Sequence, residues 1–173
     1  MTRPADIVLL EGTEAAAAID DLAEVLVDCV AGGASVSFMS PFTKADAAAY
    51  FRRVAAEVER GDTALVGARL DGRIVGTVQL GLDTPPNQPH RADVKKMLVH
   101  RSVRRGGIGA ALMQAVEEEA RRRGRTVLVL DTASGDAERL YARNGWQRVG
   151  VIPDYALWPD GGLCATTFFW KRV

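Results

Sequence analysis

Two cysteines, two histidines and a formal net charge of zero in 173 residues exclude several functions before any motif is read. Cys29 and Cys164 are isolated in the chain. The N-terminus carries no secretory pattern, so a disulfide is not expected and the cytoplasm is the natural compartment. Neither cysteine has a histidine near it, and His90 and His100 are the only imidazoles, so no metal site is expected. Lys plus Arg equals Asp plus Glu, 22 of each. That balance argues against a general affinity for nucleic acid or for a membrane surface. No apolar run approaches the about 20 residues that span a bilayer. What is abundant is apolar side chain, 47% of the total, enough for a globular core in a single domain over 1–173. No internal repeat, low-complexity segment or linker interrupts it.

Periodicity sets out the elements. Ile7 to Leu10 reads as a short strand. Glu14 to Val30 reads as one helix, with Ile19, Leu22, Ala23, Leu26, Val27 and Val30 on one side and Gly32-Gly33 as its stop. Thr43 with Asp46 forms a capping-box pattern opening a second helix that ends at Gly61. Asp71-Gly72 between the apolar runs Thr63 to Leu70 and Ile74 to Leu80 is a hairpin signal. A proline-rich loop at 84–89 precedes a strand at 92–99. A helix over 110–123 buries Leu112, Met113, Val116 and Ala120. Thr126 to Asp131 is continuously apolar and so central in a sheet. A short helix at 136–144 and strands at 147–152 and 166–171 complete the order β, α, α, β, β, β, α, β, α, β, β.

The segment Val99 to Ala110 is the most specific in the chain. A strand leads into Arg101, Arg104, Arg105, Gly106, Gly107 and Gly109, and a helix follows. Unpaired N–H groups at a helix N-terminus attract anions, and glycines let the backbone approach a phosphate closely. The pattern suits a diphosphate. A Walker loop would need a Gly-Lys-Ser/Thr end, which is absent. A dinucleotide fingerprint would need a third glycine where Leu112 stands, although Asp131 does follow about 20 residues on. A solvated turn carrying surface arginines is the structural alternative.

The spacing Arg104-x-x-Gly107-x-Gly109 resembles the R/Q-x-x-G-x-G/A signature of the GNAT N-acetyltransferase superfamily. Glu138-Arg-Leu-Tyr141-Ala-Arg-Asn-Gly145-Trp146 resembles a second hallmark of that superfamily, and the order of elements agrees. Within it, Gly32 to Met39, Arg91 to Met97, Leu130-Asp-Thr132, and Pro153-Asp-Tyr155 with Pro159-Asp-Gly161 look like the tabtoxin-resistance acetyltransferases. The resemblance implies an α/β fold with a mixed, mostly antiparallel sheet, splayed between strands 4 and 5 and flanked by about four helices. It implies acetyl-CoA as cosubstrate, no metal, and direct transfer to the primary amine of a small molecule, such as a β-lactam amino-acid toxin or an antibiotic-like amine. Peptide acetylation and non-catalytic acyl-CoA sensing are the alternatives. A homodimer is compatible, with the tail Thr167 to Trp170 either at its edge or in the chain's own core.

By the same resemblance, Arg104, Arg105, Gly106, Gly107, Ile108, Gly109 and Ala110 hold the pyrophosphate. The backbone of Met97, Leu98 and Val99 pairs with the pantetheine arm. Tyr141 gives the departing thiolate its proton, or is a core tyrosine. Two carboxylates compete as base. Asp93 stands before the glycine loop, or merely pairs with Arg91 or Lys95; Asp131 stands at the end of the central strand, or merely caps the turn with Thr132 and Ser134. His90 reads as a surface group, and His100 as a neighbour of the cofactor. Ser35, Ser37, Phe38 and Met39, with Asp154, Tyr155, Trp158 and Asp160, are the expected acceptor-binding residues. Partly buried loop packing is the alternative for Phe38 and Trp158.

Overall fold

The computed structural model describes residues 4–173. Its elements are β1 (Asp6–Leu9), α1 (Thr13–Ala17), α2 (Ile19–Ala31), α3 (Lys44–Arg60), β2 (Thr63–Leu70), β3 (Arg73–Gly81), β4 (Arg91–Val99), a 3-10 turn (Arg101–Val103), α4 (Ile108–Arg122), β5 (Val127–Thr132), α5 (Gly135–Arg143), β6 (Gln147–Leu157) and β7 (Leu163–Arg172). One seven-stranded sheet runs β1-β2-β3-β4-β5-β7-β6. Among the described residues, only β4 and β5 pair in parallel. No helix among the described residues is long and apolar enough to cross a membrane.

Local chemistry accounts for most boundaries. Thr43 Oγ1 accepts from the Asp46 N–H at 3.1 Å, and the Asp46 carboxylate accepts from the Thr43 N–H at 2.9 Å. These bonds satisfy otherwise orphaned donors at the start of α3. Gly61 closes α3 at φ 80°, a left-handed conformation in which a Cβ is strained. Asp71 and Gly72 both take positive φ, which matches the twist of a two-residue hairpin.

Two expectations change and one open alternative is decided. The single helix over 14–30 is two helices meeting at Ala18, so the sheet is flanked by five helices rather than four. The break is one residue long and keeps Leu22 and Leu26 facing inward, so the apolar stripe does not reveal it. β6 and β7 run on past 152 and begin before 166, through a stretch whose pairing slips between Ile152 and Ala156. Pro153 and Asp154 lie in that slip, and they read as loop residues in sequence. Finally, β7 lies between β5 and β6, with Phe169 2% exposed, so the aromatic tail belongs to the chain's own core and β6 is the edge.

Each face of the sheet has its own core. On one face, Leu112, Met113 and Val116 of α4 pack on Val78, Leu80 and Val94, with Tyr141, Trp146 and Phe169 completing the layer. On the other, Leu22, Leu26, Phe51 and Val54 pack on Leu65, Ile74 and Leu98. Burying each such side chain contributes about 1.5–3 kcal/mol. Within the α4 layer, Glu117 accepts from Trp146 Nε1 at 2.9 Å and from Lys171 Nζ at 2.7 Å, and Lys171 also donates to the Asn144 carbonyl. This buried network ties the end of α5 and the strand β7 to α4.

β4 carries two irregularities that shape the site. Its ladder with β5 is only Arg91↔Val127, Ala92↔Leu128 and Asp93↔Val129, after which the strands part. Against β3, the register jumps between Gln79↔Lys95 and Thr77↔Leu98, with Lys96 at φ 53°. Such a bulge reverses the inside-outside alternation. Val94 accordingly faces the α4 core, whereas Leu98 faces the α2–α3 core.

Candidate active site

The glycine loop ends in an uncapped helix. Gly107 precedes α4 at φ 81°, and no side chain caps that end. Ala111 is the first residue of α4 whose N–H finds a helical acceptor, the Gly107 carbonyl at 3.1 Å. The N–H groups of Ile108, Gly109 and Ala110 therefore point out of the helix end, carrying the partial positive charge of a 15-residue dipole. Gly109 also has a packing reason, since a Cβ there would lie 3.1 Å from Leu140 Cδ2 of α5. The three arginines divide. Arg105 is exposed at φ 67°. Arg104 folds back, its Nε donating to the Val99 carbonyl at 3.0 Å. Arg101 is engaged elsewhere, donating through its backbone N–H and Nε to Asp28 at 2.8 and 2.9 Å. Burial raises the Asp28 pKa, but these bonds and the charges of His100 and Arg101 outweigh it and hold the carboxyl below its usual range.

Beside this helix end the parted strands leave backbone uncovered. The His100 N–H donates to Val75 of β3 at 2.9 Å. Alternation along a strand then turns the peptide groups of Met97 and Val99 toward the opening and those of Leu98 toward β3. The Val99 carbonyl is already engaged by Arg104 and, at 3.6 Å, by Cys29 Sγ.

A cavity of about 280 Å3 lies between the segment after α2 and the β6–β7 hairpin. Ser35, Ser37, Phe38 and Met39 form one wall, Tyr155 and Thr166 another, and Asp131 also lines it. Ser35 Oγ donates to the Leu157 carbonyl at 2.9 Å, and the Ser40 N–H donates to the Pro159 carbonyl at 2.8 Å, so the two walls are clasped together. Asp131 Oδ2 accepts from Thr166 Oγ1 at 2.7 Å, which leaves Oδ1 free. Trp158 does not line the cavity; its backbone N–H closes the hairpin turn on the Gly162 carbonyl. Asp93 is outside as well, salt-bridged to Arg91, whose Nε is in turn bonded to Gln88. His90 is exposed, and His100 Nδ1 lies 2.8 Å from Ser102 Oγ.

Tyr141, on α5, is 5% exposed and packs on Trp146 and Phe169. Its hydroxyl bonds to no described residue. Burial, reinforced by the charge of Asp131, pushes its pKa well above the usual tyrosine value, so the hydroxyl keeps its proton.

Lys96 was not singled out in the sequence. The bulge sends it onto the cavity side, where Nζ lies 3.0 Å from Ser37 Oγ and within 6.0 Å of the Phe38 and Tyr50 ring centres. Desolvation, with the charge of Lys95, lowers its pKa, and Asp131 opposes the shift. The pair Lys95-Lys96 in the middle of a strand was the available signal of a break in alternation.

Residues 33–146 match the model of the acetyltransferase (GNAT) family. The chain belongs to the GNAT acetyltransferase family. An IAA acetyltransferase of Azospirillum brasilense is 34% identical over 101 residues, 57% of this chain and 63% of that protein. The match therefore spans less than two thirds of that relative's length. A phosphinothricin acetyltransferase from Sinorhizobium meliloti, solved with acetyl-CoA, superposes with a TM-score of 0.80 at 16% identity, covering 99% of this chain and 89% of that one. An N-acetyltransferase from Staphylococcus aureus Mu50 gives 0.80 at 19%, covering 98% and 99%. Likenesses at these identities show the GNAT fold.

Proposed function

We propose that the chain transfers an acetyl group from acetyl-CoA to the primary amine of a small molecule. The observation that carries this reading is the uncapped N-terminus of α4 beside the parted strands β4 and β5, with the Asp131 cavity beyond them. Its chemistry fits the cofactor. Ile108, Gly109 and Ala110 offer three outward N–H groups for a pyrophosphate, with Arg105 at the rim and Arg104 able to swing from the Val99 carbonyl onto a phosphate. Gly106 and Gly107 keep the approach clear, since a Cβ at Gly106 would meet only the Val103 carbonyl at 3.5 Å. The peptide groups of Met97 and Val99 offer a strand-like edge for the pantetheine arm, and Leu98 anchors β4 in the core behind them. When bound, acetyl-CoA supplies an activated acetyl thioester and a thiolate leaving group.

Each remaining task falls to a residue of this chain. Asp131 draws an ammonium into the cavity and takes its proton, directly or through water, so that the amine becomes nucleophilic. Thr166 fixes the orientation of that carboxylate. An N–H of β4 beyond the bulge stabilises the charge that develops on the carbonyl oxygen. Tyr141 donates a hydrogen bond to the departing sulfur; its raised pKa favours stabilising the thiolate over giving up the proton outright. Asp131 rather than Asp93 is the base, because Arg91 already neutralises Asp93. The clasp across Ser35–Leu157 and Ser40–Pro159 favours a small acceptor over a peptide. The resemblance to tabtoxin-resistance enzymes makes toxin and antibiotic-like amines the first to try.

The test is release of free thiol from acetyl-CoA with a panel of β-lactam amino acids, free amino acids, polyamines, aminoglycosides and short peptides. Asp131→Asn is expected to lower kcat roughly hundredfold, the scale of a lost general base, and Asp93→Asn less than about threefold by the same measure. No release with any amine despite binding of coenzyme A would overturn the transferase reading in favour of a sensor. The reverse order of the two variants would move the base to Asp93.

A further inference from the structure

We propose that Lys96 reads an anionic group on the acceptor, so that the acceptor is an aminocarboxylic acid held with its amine at Asp131 and its acid at Lys96. The proposal rests on the transferase reading and adds to it a specificity residue and a substrate class.

Placement comes first. A regular β4 would turn Lys96 into the α4 core beside Val94, where an ammonium has no partner. The bulge instead presents it on the cavity side. A lysine at φ 53° lies in a sparsely populated region, where a residue without glycine's freedom is strained by about 1 kcal/mol. Strain of this kind persists where the surroundings hold it, and it concentrates at working sites.

The second observation is charge without a partner. Among the described residues, the lysines that pair with carboxylates are Lys44 and Lys171. Lys96 is half-buried, yet its Nζ has one hydroxyl, Ser37 Oγ, and two aromatic faces. An ammonium has three donors, so two remain for a ligand. Ser37 and Phe38, which hold Lys96, are themselves cavity walls. A half-buried cation left with spare donors favours an incoming oxyanion, because pairing recovers part of its desolvation cost.

The third is polarity. The charged group lining the cavity is Asp131, with Lys96 set against the Ser37–Phe38 wall. A carboxylate on the lining and an ammonium bonded to Ser37 of its wall therefore flank one cavity. A bare amine would match the carboxylate only, whereas an aminocarboxylate matches both groups. It also arrives as a net-neutral zwitterion, so it orients itself along the axis from Asp131 to Lys96. That orientation turns the amine toward the parted strands, where the acetyl donor is expected.

The experiment compares kcat/KM by thiol release for β-lactam amino acids and common L-amino acids, each beside its carboxamide, with polyamines and aminoglycosides as amines lacking an acid group. The unmodified chain should prefer the acid of the best pair by roughly tenfold to hundredfold, the worth of one charge-assisted hydrogen bond. Lys96→Met should erase that preference by raising KM for the acid more than for the carboxamide, and Lys96→Arg should restore part of it. Lys95→Met, one residue away and exposed, should keep the preference, which separates contact from long-range charge. Melting temperatures for all variants identify any loss that is merely of folding. Equal turnover of acids and carboxamides, activity confined to polyamines or aminoglycosides, or a Lys96→Met variant that keeps the preference would each overturn the proposal while leaving the transferase reading in place. A fall in kcat for acid and carboxamide alike would also overturn it, by making Lys96 a base. Absence of thiol release with every amine would overturn both.

Discussion

Deleting the Tyr141 hydroxyl distinguishes a core tyrosine from a working one, because the structure makes the two roles differ in sign and size. A buried hydroxyl that serves the fold is bonded, and its removal costs about 1 kcal/mol or more. The Tyr141 hydroxyl bonds to no described residue, while the ring makes the packing contacts, with Phe169 at 5.7 Å and Trp146 at 6.1 Å between centres. Tyr141→Phe keeps the ring. Its stability should therefore change by less than about 0.5 kcal/mol, or roughly 2 °C in Tm for a chain of this size. Catalysis should respond differently, since a donor to a departing thiolate is a hydrogen bond to a charged atom, worth roughly 1.5–3 kcal/mol or about ten- to hundredfold in kcat. Alkaline pH adds a check on the same group. The folded pKa is raised, so the unfolded chain loses its Tyr141 proton first, near pH 10. Stability from this group is complete below that pH and is lost as pH rises toward the folded value. Tyr141→Phe should unfold less readily than the parent above about pH 10 by that linkage. Thermal unfolding across pH and stopped-time thiol release give both readings. A variant with unchanged kcat and a Tm lowered by several degrees would refute the reasoning and return Tyr141 to the core.

Two other perturbations test the frame around the site. Gly107→Ala meets no atom within 4 Å but must hold φ 81°, so about 1 kcal/mol of strain falls on the anion loop. Titration calorimetry with coenzyme A should show a Kd weaker by roughly fivefold, and an unchanged Kd would remove the loop from the binding site. Lys171→Met leaves Glu117, its side chain 7% exposed, with Trp146 and a distant Arg121. A stranded buried carboxylate should cost roughly 2–4 kcal/mol, read as denaturant midpoint, and adding Glu117→Gln should recover much of it.

The legible parts of the sequence were those where one local cause decides the structure. Thr43 with Asp46, Asp71-Gly72 and the Arg104 to Gly109 loop each announce a cap, a turn or a helix start within a few residues. The stripe Leu112, Met113, Val116 and Ala120 names its own buried face. The misread parts depend on partners far away in sequence. Whether β6 continues through Pro153 and Asp154 is decided by pairing with Cys164 and Leu163, and nothing near residue 153 encodes it. Trp158 and Tyr155 look alike as aromatic residues in a terminal segment, yet only Tyr155 lines the cavity, because it lies on β6 against Phe168 whereas Trp158 lies past the strand in the turn. Asp93 and Asp131 were equal candidates in sequence. Their surroundings differ, Asp93 pairing with Arg91 and Asp131 accepting from Thr166, and the proposed role of Asp131 rests on that difference.

The two faults in β4 are connected, which explains why the site sits where it does. A strand paired on both edges has no backbone to offer a ligand, since each peptide group is spent on a neighbour. β4 parts from β5 after Asp93, and the bulge follows within three residues, at Lys96. The parting frees one edge. The bulge changes which side chains face which layer, so Leu98 can anchor the strand in the α2–α3 core while the peptide groups of Met97 and Val99 turn away from β3, the Val99 carbonyl being held by Arg104. It also turns a lysine toward the cavity. Restoring the ladder would remove the open edge and return Lys96 to the apolar face in one step. The hydrogen bonds lost to this arrangement are offset by the two packed layers, and the Glu117 network fixes α4 and α5 against the sheet. An anion loop and a tyrosine on separate helices can then hold one geometry about the gap.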